Sequence, residues 1–533
     1  MNNKKHLKSL ANLLIFLLLF GSFFATANSE TPKAPEFFSF TELQQLYEVE
    51  KLSEPLETKL QNLLTQPFVN NSFRTNAPRQ LNKSEKLGEF LRVVQWNIER
   101  GLEFEAILAA FESEEKLLAV IDNEKFPPES KRRRELLEQA ALLRAADVIV
   151  LNEVDLGMKR TGYRNVAAEL AEKLGMNYAF GVQFVELSPI HIDQKVAPKN
   201  KDKNEILNLI NVDTARYKGL HGIAVLSRFP LENVRLVPFE TQPYDWYKSE
   251  KKGAGLLEKG KREISKRIFL EEILPEVRRG GRSALIAEIA DARLPAGRVS
   301  IVATHLENRT KPANRKKQLK ELLEQIKDIP HPVIMAGDMN TSNSDLTPTS
   351  FRRELTKRFG SPKFWIKQGI TMLLGISFLE DFAVTAVSFG RTHANPTAKS
   401  IPIISPNPER QFFSTLEDFR FADGGVFDFR GDPARSHANK SKKLSASNER
   451  ARMGFVTTYQ VERPIGFIGK YKLDWIFVKP ANLTKPADRG QSYVFAPHFG
   501  RTLTEINEAI EDRISDHRPI LVDLPVGEPP FIK

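Results

Sequence analysis

Apolar residues fall into two spacings along this chain. Short, largely apolar runs recur at 91–98, 148–154, 222–226, 283–289, 298–304, 333–336, 473–478 and 520–524. Runs of that length, edged by polar residues, predict strands. Between them, 135–146, 165–174 and 314–327 predict helices; in the last, Leu319, Leu322, Leu323 and Ile326 recur on one helical face and make a stripe to bury. Strands interleaved with helices predict an α/β or α+β fold. Ahead of the first strand, 28–90 reads as a helical collar. Ser39 and Glu42 have capping-box spacing, and Leu56, Leu60, Leu63 and Leu64 share a face. Two spans, 188–282 and 342–469, break the rhythm and are expected to be insertions that decorate the fold.

The N-terminus changes the picture first. Lys4, Lys5 and Lys8 precede an apolar stretch from Leu10 to Phe24 and the small residues Ala25-Thr26-Ala27. This is the three-part pattern of a secretory signal, expected to be cleaved after Ala27, and its apolar run falls short of the ~20 residues that span a bilayer. The expected location is therefore secreted or periplasmic. Loss of the three lysines takes the net charge from +11 to +8. The chain has no cysteine. Disulfides, thiol nucleophiles and cysteine-held metals are thereby excluded, and any metal must sit on carboxylate, amide or His. The remaining positive charge is concentrated: 247–282 holds eleven Lys or Arg against six Asp or Glu. Such a stretch fits a polyanion partner and fits a solvated helix face equally well. Lys131-Arg132-Arg133-Arg134 reads as solvent-facing.

Candidate chemistry sits where the strands end, the position from which rigid sheets present catalytic groups. Trp96-Asn97, Asn152-Glu153, Thr304-His305 and Gly337-Asp338-Met339-Asn340 each follow an apolar run. Leu473-Asp474-Trp475 and Ser515-Asp516-His517 come later. Any one of these is most simply a cap or turn residue; six in succession make a coherent set. Carboxylates with an amide are the hard oxygen ligands that Mg²⁺ takes, and the histidines are left for proton transfer and phosphate binding.

In these motifs, with Leu226-Ser227-Arg228 between them, the chain resembles the endonuclease/exonuclease/phosphatase superfamily from about residue 91 to 524. The collar and most of both interruptions lie outside the resemblance. It implies a four-layer sandwich, two mixed β-sheets face to face with helices outside, and a catalytic domain over 91–533. It implies that Glu153 holds a divalent cation, Mg²⁺ or in its place Mn²⁺ or Ca²⁺, helped by Asn97 and Asp516. Asp338 and Asn340 would orient water and phosphate, and Asp474 would position His517. His517 and His305 would face the scissile phosphodiester, with Asn97 and Arg228 on the substrate side.

A divalent-metal phosphodiesterase acting on nucleic acid is the expected function. The alternatives are a sphingomyelinase-like enzyme on membrane lipid, a phosphatase, and a non-catalytic polyanion-binding protein. For the lipid alternative, Phe364-Trp365-Ile366 and the apolar 369–379 are the candidate membrane contact, although a buried helix is the plainer expectation. No dedicated protein partner is evident. The His221-Gly222-Ile223 stretch lacks the acid or Asn that relatives place there, which leaves the orientation of His305 open. Glu307 is a substitute or a turn ion pair. Asp155 and Arg160, with Tyr163, read as a structural pair or as cleft lining. His191, His331, His393 and His437 have no partner spacing and read as surface or loop residues.

Overall fold

The computed structural model describes residues 34–73, 80–187, 212–251, 276–341, 409–437, 449, 455–465 and 468–530. Its strands are β1 (Phe68–Asn70), β2 (Asn82–Ser84), β3 (Gly88–Arg100), β4 (Val148–Leu156), β5 (Asn177–Glu186), β6 (Leu220–Ser227), β7 (Glu232–Pro238), β8 (Arg278–Gly280), β9 (Ser283–Ala290), β10 (Arg298–His305), β11 (Val333–Asp338), β12 (Tyr459–Ile465), β13 (Ile468–Tyr471), β14 (Asp474–Lys479), β15 (His498–Thr502) and β16 (Ile520–Pro525). One sheet runs β1-β5-β6-β4-β3-β16-β15, with β2 added to β3 and β8 to β5; the other runs β14-β11-β10-β9-β7. Both are mixed, because β3–β4 and β10–β11 are parallel inside otherwise antiparallel neighbours.

Alternation along the strands sets the layers, since successive side chains face opposite ways. Leu91 and Val93 of β3, Val148 and Val150 of β4, Ile301 and Ala303 of β10, Ile334 and Ala336 of β11, and Ile476 and Val478 of β14 fill one cluster between the sheets. Val94 and Trp96 of β3 and Ile149 and Leu151 of β4 face outward, against α3 (Phe104–Glu112), α4 (Glu114–Val120), α5 (Lys131–Arg144) and α6 (Val166–Leu174). The other outer face buries Val302, Met335, Trp475 and Phe477 under α8 (Pro312–Ile326) and α9 (Arg410–Asp418). The fold is thus the four-layer α/β sandwich. With both strand faces dry, each Leu, Ile or Phe placed there contributes about 1.5–3 kcal/mol.

The predicted strands all form. β5 was unread: its Gln183 and Glu186 break the apolar run, yet both are buried. The two presumed insertions need correction. β6, the strand between β5 and β4, falls inside 188–282, as does β7. From 342–469, Phe412, Phe413, Leu416, Phe421, Phe427 and Phe429 belong to the core. The presumed membrane contact at 364–379 and the signal segment lie outside the described residues. No helix among the described residues is long and apolar enough to cross a membrane.

The collar consists of α1 (Phe40–Glu48) and α2 (Glu54–Thr65). Its capping box forms as spaced: Ser39 Oγ accepts from the Glu42 amide, and Glu42 Oε2 accepts from the Ser39 amide at 2.7 Å. Lys59 then ties α2 back to Glu42 at 2.9 Å. Leu43, Leu46, Leu60 and Leu63 join the outer core of the first sheet.

Candidate active site

Strand register assembles the site. His305 is the parallel partner of Asp338, and Asp338 is the antiparallel partner of Asp474, so these three side chains line up across β10, β11 and β14. On the facing sheet Asn97 is level with Asn152. Ile520 pairs with Gln95, which brings the preceding Ser515–Pro519 turn over the same end. Residues more than 400 positions apart thereby converge.

Amide side chains join the two sheets. Asn152 Oδ1 accepts from Gln95 Nε2 at 3.0 Å and from the Asp338 amide at 2.7 Å, while its Nδ2 donates to Thr304 O at 3.0 Å. Gln95 Nε2 also donates to Asp474 Oδ1 at 3.0 Å. Gln95 and Asn152 were read only as neighbours of functional residues; being polar inside apolar runs was the available signal. At Glu153 the backbone turns to φ 53°, and at Asn340 to φ 48°. Left-handed conformation in non-glycine residues is costly, and these are two of eleven such residues among the described ones.

His517 Nδ1 donates to Asp474 Oδ2 at 2.7 Å, which fixes the ring and turns Nε2 towards Asp338 Oδ2, 3.7 Å away. The same carboxylate oxygen lies 3.3 Å from Asn97 Nδ2, 3.4 Å from Asn340 Nδ2 and 3.3 Å from His305 Nε2. The His305 approach is out of line for a hydrogen bond, so both ring nitrogens are buried without one. Arg282 Nη1 is in the same condition nearby. Ser515 Oγ donates to Asn97 O at 2.7 Å and accepts from the His517 amide at 3.0 Å, locking the turn.

Electrostatics separate the two imidazoles. Burial opposes the charged form of His517, but Asp474, Asp338 and Asp516 outweigh it and raise its pKa well above the usual value. Burial and the Arg282 charge push His305 down. Glu153 is held well below the usual carboxylate range: burial opposes this, and the positive forms of His305, Arg100, His221 and His517 produce it. Asp516 is raised by burial and by the charges of Glu153 and Asp338, against His517. Crowded carboxylates of this kind want a cation, and the hard oxygens of Glu153, Asp516 and Asn97 suit Mg²⁺, so the donor chemistry fits. Among the described residues, ligand atoms of Asp338, Asp474 and His517 also lie within 4.8 Å of one another, but the Asp474 and His517 atoms are already paired.

Some expected residues are placed elsewhere. Arg228 follows β6, whose end lies beside the start of antiparallel β4, because Ser227 pairs with Val148. It therefore sits at the opposite end of the sheet from Glu153, donating to Arg144 O at 2.7 Å. Strand direction, which the sequence does not show, is the reason for this correction. Glu307 takes Trp246 Nε1 at 3.0 Å and approaches Arg282 at 3.5 Å rather than supporting His305. Asp155 is a buried structural partner of Arg160, at 2.5 Å, and it also holds His221 Nδ1 at 2.9 Å. Arg160 continues to Glu186 at 2.9 Å. Tyr163 Oη accepts from the Asp213 amide. His331 is buried against Ser300 at 2.8 Å rather than in an open loop. His191 and His393 lie outside the described residues.

A family model described as Endonuclease/Exonuclease/phosphatase family matches residues 94–517. No curated protein sequence matches the chain. Among solved structures, it is similar to an endonuclease/exonuclease/phosphatase from Beutenbergia cavernae DSM 12333, at 17% identity, 82% coverage of this chain, 72% of that one and TM-score 0.36. It is also similar to the human Nocturnin catalytic domain, at 14% identity, 81% and 92% coverage and TM-score 0.34. A third is the 3'-5' exonuclease NExo from Neisseria meningitidis, at 14% identity, 81% and 99% coverage and TM-score 0.35. At these TM-scores the superpositions carry no argument; the matched span, which is most of the chain, does.

Proposed function

Because the chain belongs to the endonuclease/exonuclease/phosphatase family across residues 94–517, we propose that it is a secreted or periplasmic enzyme that hydrolyses phosphodiester bonds with a divalent cation, and that its substrate is nucleic acid. The observation that carries this reading is the convergence of Asn97, Asn340, His305 and His517 on one oxygen of Asp338, beside the His517–Asp474 pair. Donors crowded around a single acceptor are arranged for the several oxygens of a phosphate. The nucleic-acid choice is supported by the positive charge left after the signal segment.

Glu153, Asp516 and Asn97 would hold Mg²⁺, or Mn²⁺ or Ca²⁺ in its place. When bound, the cation supplies charge neutralisation at the phosphate. The chain's own residues do the rest. Asn97, Asn340 and the unbonded nitrogens of His305 and Arg282 bind non-bridging oxygens. Asp338, ionised and hydrogen-bonded by the Asn340 amide at 2.8 Å, orients the attacking water and accepts its proton. His517 is the charged donor for the leaving oxygen, and Asp474 keeps it protonated and aimed.

The test is hydrolysis of bis(4-nitrophenyl) phosphate, plasmid DNA, RNA, sphingomyelin and inositol phosphates by the mature chain, each with Mg²⁺ and with chelator. DNA or RNA turnover that chelator abolishes is expected. Glu153→Gln should lower kcat by about a hundredfold or more while leaving the fold intact. A folded Glu153→Gln variant at full activity would overturn the metal assignment. Sphingomyelin turnover without nuclease activity would overturn the substrate.

A further inference from the structure

The last carbonyls of a helix have no partner inside it, and they carry the negative end of its dipole. In α1 these groups are met from outside the collar. Arg279 Nε donates to Leu46 O at 2.9 Å, and its Nη2 reaches Val49 O. Tyr247 Oη donates to Tyr47 O at 2.8 Å and lies 2.9 Å from Val49 O. Lys251 Nζ donates to Glu48 O at 3.0 Å and also to Tyr47 O. The Arg279 guanidinium stacks 3.9 Å from the Tyr247 ring centroid, so the three donors form one clasp. On α2, Leu64 closes over Gly280, where a Cβ would come within 3.0 Å of its Cδ2.

These donors belong to α7 (Trp246–Lys251) and to β8, and α7 and Arg282, which follows β8, both meet Glu307, two residues beyond His305. Trp246, next to Tyr247, donates to Glu307. The Arg278 guanidinium lies 4.2 Å from the Trp246 ring centroid, so β8 points one residue at the indole and the next at the collar. Three residues on from Arg279 stands Arg282, buried with Nη1 unbonded and with Nε 3.5 Å from Glu307. The collar therefore grips the backbone that carries the only groups proposed to touch phosphate from this side besides His305.

We propose that the N-terminal helical pair is a positioning element of the active site: by clasping Tyr247, Lys251 and Arg279 it sets the two side chains, Trp246 and Arg282, against which the phosphate is held. The inference rests on the phosphoesterase reading above. Tyr247, Lys251 and Arg279 are positioning residues, since they touch the collar and not the substrate. A collar that only adds stability would lower the melting temperature when weakened and leave substrate binding alone.

The full mature chain with Lys251→Ala and Arg279→Ala together tests this, beside Arg279→Lys and Ser39→Ala. Ser39→Ala weakens the same helix at its other end without touching the clasp. KM and kcat for bis(4-nitrophenyl) phosphate with Mg²⁺ are measured separately, with inhibition by inorganic phosphate. In the double variant KM and the phosphate inhibition constant should each rise about tenfold while kcat stays within about twofold, the pattern of lost binding common to ground and transition states. Arg279→Lys should recover part of the change, and Ser39→Ala should lower the melting temperature with KM unaltered. An unchanged KM in the double variant, with a melting loss like that of Ser39→Ala, would overturn the inference. Absence of turnover by the unaltered chain would overturn the phosphoesterase reading instead. The thermal shift produced by inorganic phosphate, compared between the unaltered chain and the double variant, then tests the clasp by itself.

Discussion

His517 and His305 face the same carboxylate oxygen of Asp338, yet three acidic neighbours raise the pKa of one while burial and Arg282 lower that of the other. The two imidazoles are thus moved in opposite directions, and such a divergence is how acid and base roles are assigned in one site. The protonated form of His517 persists below its raised folded pKa and is lost as pH rises through that value. Asp474→Asn removes the charge that raises it most. The alkaline limb of the kcat/KM profile should therefore move to lower pH, with kcat at pH 8 reduced about tenfold or more. An unmoved limb would mean that Asp474 does not set the protonation of His517. Of these residue-level facts, the Asp474–His517 pairing was expected from the family resemblance that the motifs carry, not from the apolar pattern. The His221–Asp155 bond was not, since it depends on the pairing of β4 with β6.

At the scale of elements, the parallel pair β10–β11 determines whether His305 and Asp338 stand together. Gly337 lies opposite Thr304 in that pair, and a Cβ there would come within 1.8 Å of Thr304 O. Both groups are backbone, so neither can move aside without parting the strands. Gly337→Ala should cost several kcal/mol, on the order of ~3 or more, read as a lower denaturant midpoint, and the fraction that remains folded should turn over more slowly. Native stability and full activity in that variant would refute the register argument. The central strands were legible because dry faces on both sides write continuous apolar runs into the sequence. β5 was not, because Gln183 and Glu186 are buried polar residues whose partners come from elsewhere: Gln183 donates to Ser283 O and Glu186 takes Arg160. Likewise the Phe-rich 412–429 stretch reads as an interruption, since α9 is a single short helix and the loop after it, from Phe421 to Phe429, packs by its rings with no period to detect.

At the scale of the molecule, the site works against the fold around it. Asp516 is raised by burial and by neighbouring acids, so ionising it at neutral pH costs folding free energy. A cation that binds the folded chain alone should return stability by mass action, about 2.7 kcal/mol at a hundred times its dissociation constant. The melting temperature should therefore climb with added Mg²⁺. Asp516→Asn should start from a higher melting temperature without metal and gain less from it. If the two chains respond alike to Mg²⁺, Asp516 is not among the ligands.

The placement of β16 has a consequence in time. This strand lies between β3 and β15, and the turn before it carries Asp516 and His517. During synthesis, β3 must wait for a partner that leaves the ribosome some 420 residues later, a delay of roughly 20 to 85 seconds at elongation rates of about 5–20 residues per second. Until then the nascent chain has neither its acid nor its completed sheet. The proposed activity, which needs His517 as acid, therefore cannot appear before the last residues of the chain have been made.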